Sequence, residues 1–300
     1  GVLGPARAAE GSNCVGPWAL VSVVVAYRDA LYQEAGIEAA PATWDEWMDA
    51  NEALADNGQT PLNISLKGDD ASTWWLLTNK LNATLRPLVP EINLIHADGF
   101  SFDPNDLSST VGEAYTTDEL YVAFKKGLID PATSEAYRVA VEQVMEVMPY
   151  INDNTGSTVP ADVTSRFAAS EVPQIVAVSQ SLTNAAEEIK AAGGESDIRS
   201  FTLPTITEAD WDGLTAGGEN PLSGWANGFA VNAASENTEL AVKVLKCLTR
   251  PDVLTEMYAV QPIGEASAIA GVAYPADSVI SGDSNALYAE ISPYGFGMPP

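Results

Sequence analysis

The run Leu20-Val-Ser-Val-Val-Val-Ala-Tyr27-Arg-Asp-Ala-Leu-Tyr-Gln-Glu-Ala-Gly36 decides the fold class. Its first half is β-branched and almost wholly apolar, the composition of a strand buried on both faces. From Asp29 the pattern turns helical, and Gly36 stops it. A buried strand running into a helix is the repeating unit of an α/β fold. Next, Pro41-Ala-Thr-Trp-Asp-Glu-Trp-Met48 opens a second helix, with Thr43 as cap and Glu46 placed to reach back to the cap nitrogen. Trp44, Trp47, Met48 and Leu54 then share one face and are expected in the core, and Gly58 ends the helix.

Farther along, the turn-rich Gly68-Asp-Asp70 precedes Ser72-Thr-Trp-Trp75, which opens an apolar-faced helix with one of its two tryptophans packing inward. Residues 88–112 read as irregular, and helices resume at 117–126 and 134–148. In the latter, Tyr137, Val141, Val144, Met145 and Met148 recur at helical spacing and predict the buried face. Gln174-Ile-Val-Ala-Val178 is a strand, residues 184–192 a helix stopped by Gly193-Gly194, and Ala226-Asn-Gly-Phe-Ala-Val-Asn232 another strand. Ser235 then caps a helix whose Leu240, Ala241, Val244, Leu245 and Leu248 form an expected buried stripe, closed by Arg250-Pro251.

Composition narrows the function. Three hundred residues, 46% hydrophobic, suffice for a sizeable core. Forty-one acidic residues face 14 basic ones, for a net charge of −27. Nucleic acid and anionic lipid surfaces would repel such a chain. The excess is spread along the sequence, as in a strongly solvated surface or a face that attracts a cationic ligand. Cys14 and Cys247 could pair in an oxidising compartment or remain buried free thiols. The lone histidine, His96, leaves no zinc set and no Ser/His/Asp triad, and reads as an exposed bystander. There is no phosphate loop, HExxH, paired CxxC, GxSxG or EF-hand spacing, so neither cofactor nor metal is expected. Counting alone leaves a hydrolytic carboxylate pair open. Asn63-Ile-Ser65 and Asn82-Ala-Thr84 match the glycosylation acceptor triplet, a pattern common by chance. No apolar run approaches the roughly 18–20 residues that span a bilayer, and residues 1–13 lack the features of a leader peptide.

Several stretches, in order, resemble the extracellular solute-binding proteins for sugars, the family that includes the maltose-binding proteins. They are Val25-Ala-Tyr-Arg-Asp-Ala-Leu-Tyr-Gln-Glu-Ala-Gly36 with Thr43-Trp-Asp-Glu-Trp47, then Phe124-Lys-Lys-Gly-Leu-Ile-Asp130, then Phe167-Ala-Ala-Ser-Glu171. Trp225-Ala-Asn-Gly-Phe-Ala-Val-Asn-Ala-Ala-Ser-Glu-Asn237 and Pro262-Ile-Gly264 complete the series. Departures are equally specific. Arg28 stands where the family usually has Asn, Ala30 where it has Asp, Ser170 where it has Gly, and Pro173-Gln174 where it has Ala-Met. The family also has most of a first lobe ahead of the segment matching Val25 to Gly36, where only residues 1–24 stand here. Tyr294 to Pro300 resembles the point where the chain re-enters the second lobe. A fragment, an incompletely represented chain and a reduced relative all fit this pattern.

The resemblance implies a two-lobed, periplasmic-binding-protein-like (type II) α/β fold, with most of the first lobe missing. Residues 1–20 would lead in from the first lobe, 21–226 and 276–300 would build the second, and 227–275 would return to the first. It further implies a monomeric, non-enzymatic protein that captures a small solute, a sugar or oligosaccharide, and delivers it to the permease subunits of an ABC importer. The location implied is extracellular, periplasmic or lipid-anchored at the cell surface. Ligand contacts would come from Asp69, Asp70, Ser72, Trp74, Gln180, Ser223, Gly224, Trp225 and Glu265, with Tyr27 supporting the hinge. Aromatic faces would stack on the sugar ring while carboxylates and amides bond its hydroxyl rim. The competing readings are a carbohydrate-active hydrolase with two opposed carboxylates and a receptor ectodomain without transport.

Overall fold

One strand organises the molecule. In the computed structural model, which describes residues 16–67, 72–85, 88–92, 117–207, 209–214, 223–232, 235–260, 266–267, 269 and 271–274, β1 spans Gly16–Arg28. The elements that follow are α1 (Asp29–Glu34), α2 (Trp44–Asp56), β2 (Leu62–Asn63), α3 (Ser72–Leu85), α4 (Val89–Ile92) and α5 (Thr117–Lys125). Then come α6 (Glu135–Val147), α7 (Pro160–Ala168), β3 (Gln174–Val178), α8 (Ser179–Ala191) and β4 (Ile198–Thr202). The chain continues with β5 (Ser223–Phe229), α9 (Thr238–Leu248), α10 (Pro251–Val260) and β6 (Ala266–Ser267).

β1 changes partners along its length. Residues Val23 to Arg28 run antiparallel to β3 and β4, from Val23↔Val178 and Val24↔Thr202 onward. Residues Gly16 to Ser22 pair instead with β5, and Ala19 and Leu20 also with β6. β2 joins β3 in parallel, so β2, β3 and β4 all point the same way.

In the second half of β1 every residue from Val23 to Arg28 is buried, as continuous apolarity demands. Val23, Val25 and Tyr27 face Trp44, Trp47 and Leu54 of α2, Leu76 of α3, and Val144 and Val147 of α6. Val24 and Ala26 face Val163 and Phe167 of α7 and Leu182 and Ala185 of α8. The result is helices on both sides of a sheet, the mixed α/β architecture read from the sequence.

Local signals explain much of this. Thr43 Oγ1 accepts from the Glu46 N–H at 3.2 Å while the Glu46 carboxylate accepts from the Thr43 N–H, the anticipated capping box. Gly36 and Gly58 take φ of 79°, the left-handed stop that glycine alone adopts without strain. Ser170 occupies the same region at φ 59°, just past α7, where its Cβ costs what the family's usual glycine would not.

Other readings need correction. The buried face of α6 is Ala136, Ala140, Gln143, Val144 and Val147, whereas Val141 and Met145 are exposed. α6 lies against α3, and small alanines let the two backbones approach where bulkier side chains would not. α8 begins at Ser179, five residues before the predicted start, and β5 begins at Ser223, three before. Asn237, not Ser235, occupies the N-cap of α9; the Ser235 hydroxyl accepts from the Asn237 N–H instead. None of the predicted α9 stripe is buried, and Leu240 and Val244 are exposed. Cys247 is an exposed free thiol rather than a buried one, while Cys14 and His96 fall outside the described residues. Asn63 is fully buried, which removes it as a glycan acceptor.

Candidate functional site at the strand switch

Because β2, β3 and β4 are parallel, their carboxyl ends share one edge, the edge where open α/β sheets bind ligands. β1 switches partners at that same edge. Val23 pairs with Val178, the last residue of β3, and the adjacent Ser22 pairs with Ser223, the first residue of β5. Gly224 and Trp225 follow opposite Val21 and Leu20. With a rise of about 3.3 Å per residue, these backbone positions sit within about 10 Å of one another along β1.

Three elements therefore converge. α8 starts directly from β3, with Gln180 as its second residue and no side chain capping its first turn. β5 brings Ser223, Gly224 and Trp225. The third element is the segment leaving β2 toward α3, and it is firmly held. Ile64 N–H donates to Asn152 Oδ1 at 2.8 Å, Ser65 Oγ to the Thr158 carbonyl at 2.6 Å, and Leu66 N–H to the Thr155 carbonyl at 3.0 Å. Asn152 in turn donates to Asn154 Oδ1 and Thr158 Oγ1. This frame leads toward α3, whose first turn carries Ser72 and Trp74. Trp75 is half-buried and packs against the main core.

Asp69, Asp70 and Glu265 fall outside the described residues, although Glu265 directly precedes β6, which pairs with Ala19 and Leu20 of β1. Ser72, Trp74, Gln180, Ser223, Gly224 and Trp225 are placed by their backbone at the helix start, helix start and strand register given above. Tyr27 is not at this edge. It is buried at the far end of β1, its ring stacked on Tyr32 at 4.1 Å. An open groove of about 320 Å³ runs beside α7 between Asn154, Asp162, Arg166 and Glu171, with Arg166 and Glu171 paired at 3.1 Å.

Behind the edge lie buried polar residues whose roles the sequence did not reveal. Gln174 uses its whole amide: Oε1 accepts from Tyr32 Oη and Trp47 Nε1, both at 2.8 Å, and Nε2 donates to Asn51 Oδ1 and the Pro61 carbonyl. Burial, and secondarily Tyr27, push the Tyr32 hydroxyl far above the ordinary tyrosine pKa, so it stays a donor. Arg28, also buried, pairs with Asp197 and donates to the Phe167 and Ala168 carbonyls that close α7. Arg28 and Gln174 are two of the departures from the family pattern, and that was the available signal: a polar residue where a family has a different type has to find new partners. Lys80, fully buried, is the only charge in α3.

The fold is of the periplasmic-binding-protein-like class of solute-binding proteins. The family model for bacterial extracellular solute-binding proteins matches residues 2–254, and the chain belongs to that family. Its fold is shared by RafE of Streptococcus pneumoniae, solved with raffinose, at 18% identity and TM-score 0.59 over 95% of this chain and 63% of that one. A probable secreted solute-binding lipoprotein from Streptomyces coelicolor is similar at 20% identity and TM-score 0.63, over 98% of this chain and 64% of that one. The solute receptor AcbH, described as exclusive for β-D-galactopyranose, is similar at 15% identity and TM-score 0.63, over 96% and 62%. The chain thus spans under two thirds of these proteins' length. No curated protein matches it in sequence. The family is one of extracellular binding proteins rather than enzymes, and among the described residues no helix is long and apolar enough to cross a membrane.

Proposed function

We propose that this chain captures a neutral sugar or oligosaccharide outside the cell, as a monomer, and hands it to the permease subunits of an ABC importer. The observation that carries the reading is the meeting of α8's start, β5's start and the framed segment after β2 at the point where β1 changes sheets. Asp69, Asp70, Ser72, Trp74, Gln180, Ser223, Gly224, Trp225 and Glu265 would line the cleft there. Trp74 or Trp225 would offer the stacking face, and the carboxylates and amides would bond the hydroxyl rim. Residues 21–226 and 276–300 would form one lobe, 227–275 part of the other, and the strands crossing between them the hinge. The register shifts of β1 against β5 between Pro17 and Leu20 suit such a hinge, since an irregular ladder bends more readily than a regular one. Lipid anchoring at the cell surface belongs to the same proposal. Similarity of fold to proteins solved with raffinose and stachyose supports a carbohydrate ligand.

The test is calorimetric titration of the chain with mono- and oligosaccharides, polyols and polyamines. A sugar bound at micromolar concentration without turnover, and lost on Trp225→Ala, supports the reading. Preference for a polyamine, or cleavage of the sugar, contradicts it.

A further inference from the structure

Lys80 lies mid-helix in α3, fully buried. Its Nζ sits 3.8 Å from the centre of the Trp44 ring and donates to the Pro204 carbonyl. Trp44 gives its indole N–H to Glu146 Oε2 at 2.7 Å. A carboxylate thus meets the edge of an indole whose face meets the lysine Nζ. An anion at the N–H end makes the ring face richer in electrons, which favours the Nζ–H groups that meet it. Four elements meet at this stack: α2 through Trp44, α3 through Lys80, α6 through Glu146, and the segment after β4 through Pro204.

The arrangement does not favour stability. Burial drives the Lys80 amine well below the pKa of an exposed lysine, and Asp210 and Glu146 oppose that only in part. A methionine of similar length would pack there without the desolvation cost. What the lysine adds is direction. The apolar contacts of Leu76 and Trp75 tolerate small slides of α3 along its axis, whereas an Nζ donor held between one ring face and one carbonyl fixes a single axial position. Eight residues separate Lys80 from Ser72 at the start of α3, about 12 Å at 1.5 Å per residue, a distance a helix transmits as a rod. Pro204 itself follows the carboxyl end of β4, at the candidate ligand edge.

We propose that Lys80 is a positioning residue for ligand capture: the Glu146–Trp44–Lys80 stack locks α3 in register so that its first turn meets the ligand in one geometry. This rests on the proposed function above. Lys80→Met in the full chain tests it by hydrogen exchange and calorimetry. The expected result is exchange at residues 76–80 faster by about tenfold and sugar Kd weakened by a similar factor, with Tm unchanged or raised. Trp44→Phe, which keeps the ring and drops the N–H, should move both readouts in the same direction by less. Wild-type exchange at 76–80 or wild-type Kd in Lys80→Met, or in Trp44→Phe should the first variant not fold, overturns the positioning role. If the unaltered chain binds no sugar, the functional reading fails instead, and the exchange measurement still decides the role of Lys80.

Discussion

The two halves of β1 are one strand in two environments. From Val23 to Arg28 each residue is at most 7% exposed, and the helices on both sides bury their apolar faces against it. Beyond the switch, α9 carries as clear an apolar stripe as any helix of the covered half, yet none of its residues is buried; α10 buries only Leu254 and Tyr258. A stripe says which face of a helix asks for cover. Whether cover is supplied depends on a second element that the stripe does not encode.

That contrast can be broken experimentally. The largest effect belongs to the covered half. Trp47→Ala removes a fully buried indole and one of the two donors to Gln174, and should cost about 3–5 kcal/mol in urea unfolding. A loss below about 1 kcal/mol would mean the core around Gln174 is looser than drawn.

The next pair sharpens the comparison with chemistry held constant. Val144→Ala on α6 truncates a residue 7% exposed, Val244→Ala on α9 one 48% exposed. The first should cost about 2 kcal/mol and the second less than about 0.5. Equal losses would show that α9 is covered in solution and that the two halves do not differ as described. The smallest effect is a gain: Ser170→Gly relieves a left-handed backbone at φ 59° and should raise stability by about 0.5–1 kcal/mol. No gain would indicate that the serine side chain compensates its strain.

What the sequence made legible follows the same divide. The strand of β1, the limits of β3 and the capping box at Thr43 were readable because each rests on residues close in sequence. The face of α6 was misread because Ala136 and Ala140 look neutral in a pattern, although against a close neighbour they are the better fit than Val141 or Met145. The α9 stripe was read correctly as a pattern and wrongly as burial. For the site, the segment Ser223-Gly-Trp225 came from resemblance, and its place opposite Ser22 to Leu20 became visible only through strand register. Gln174 draws its partners from 113 or more residues away, and Lys80 reaches the Pro204 carbonyl across 124, which no local pattern records.

Hydrogen–deuterium exchange of the chain with and without the sugar it binds locates the ligand on the fold. Protection gathered at residues 64–67, 179–182 and 223–225, with α9 unchanged, is the predicted result. Protection confined to the α7 groove between Asn154 and Glu171 would place binding elsewhere and contradict the assignment of the strand switch as the site.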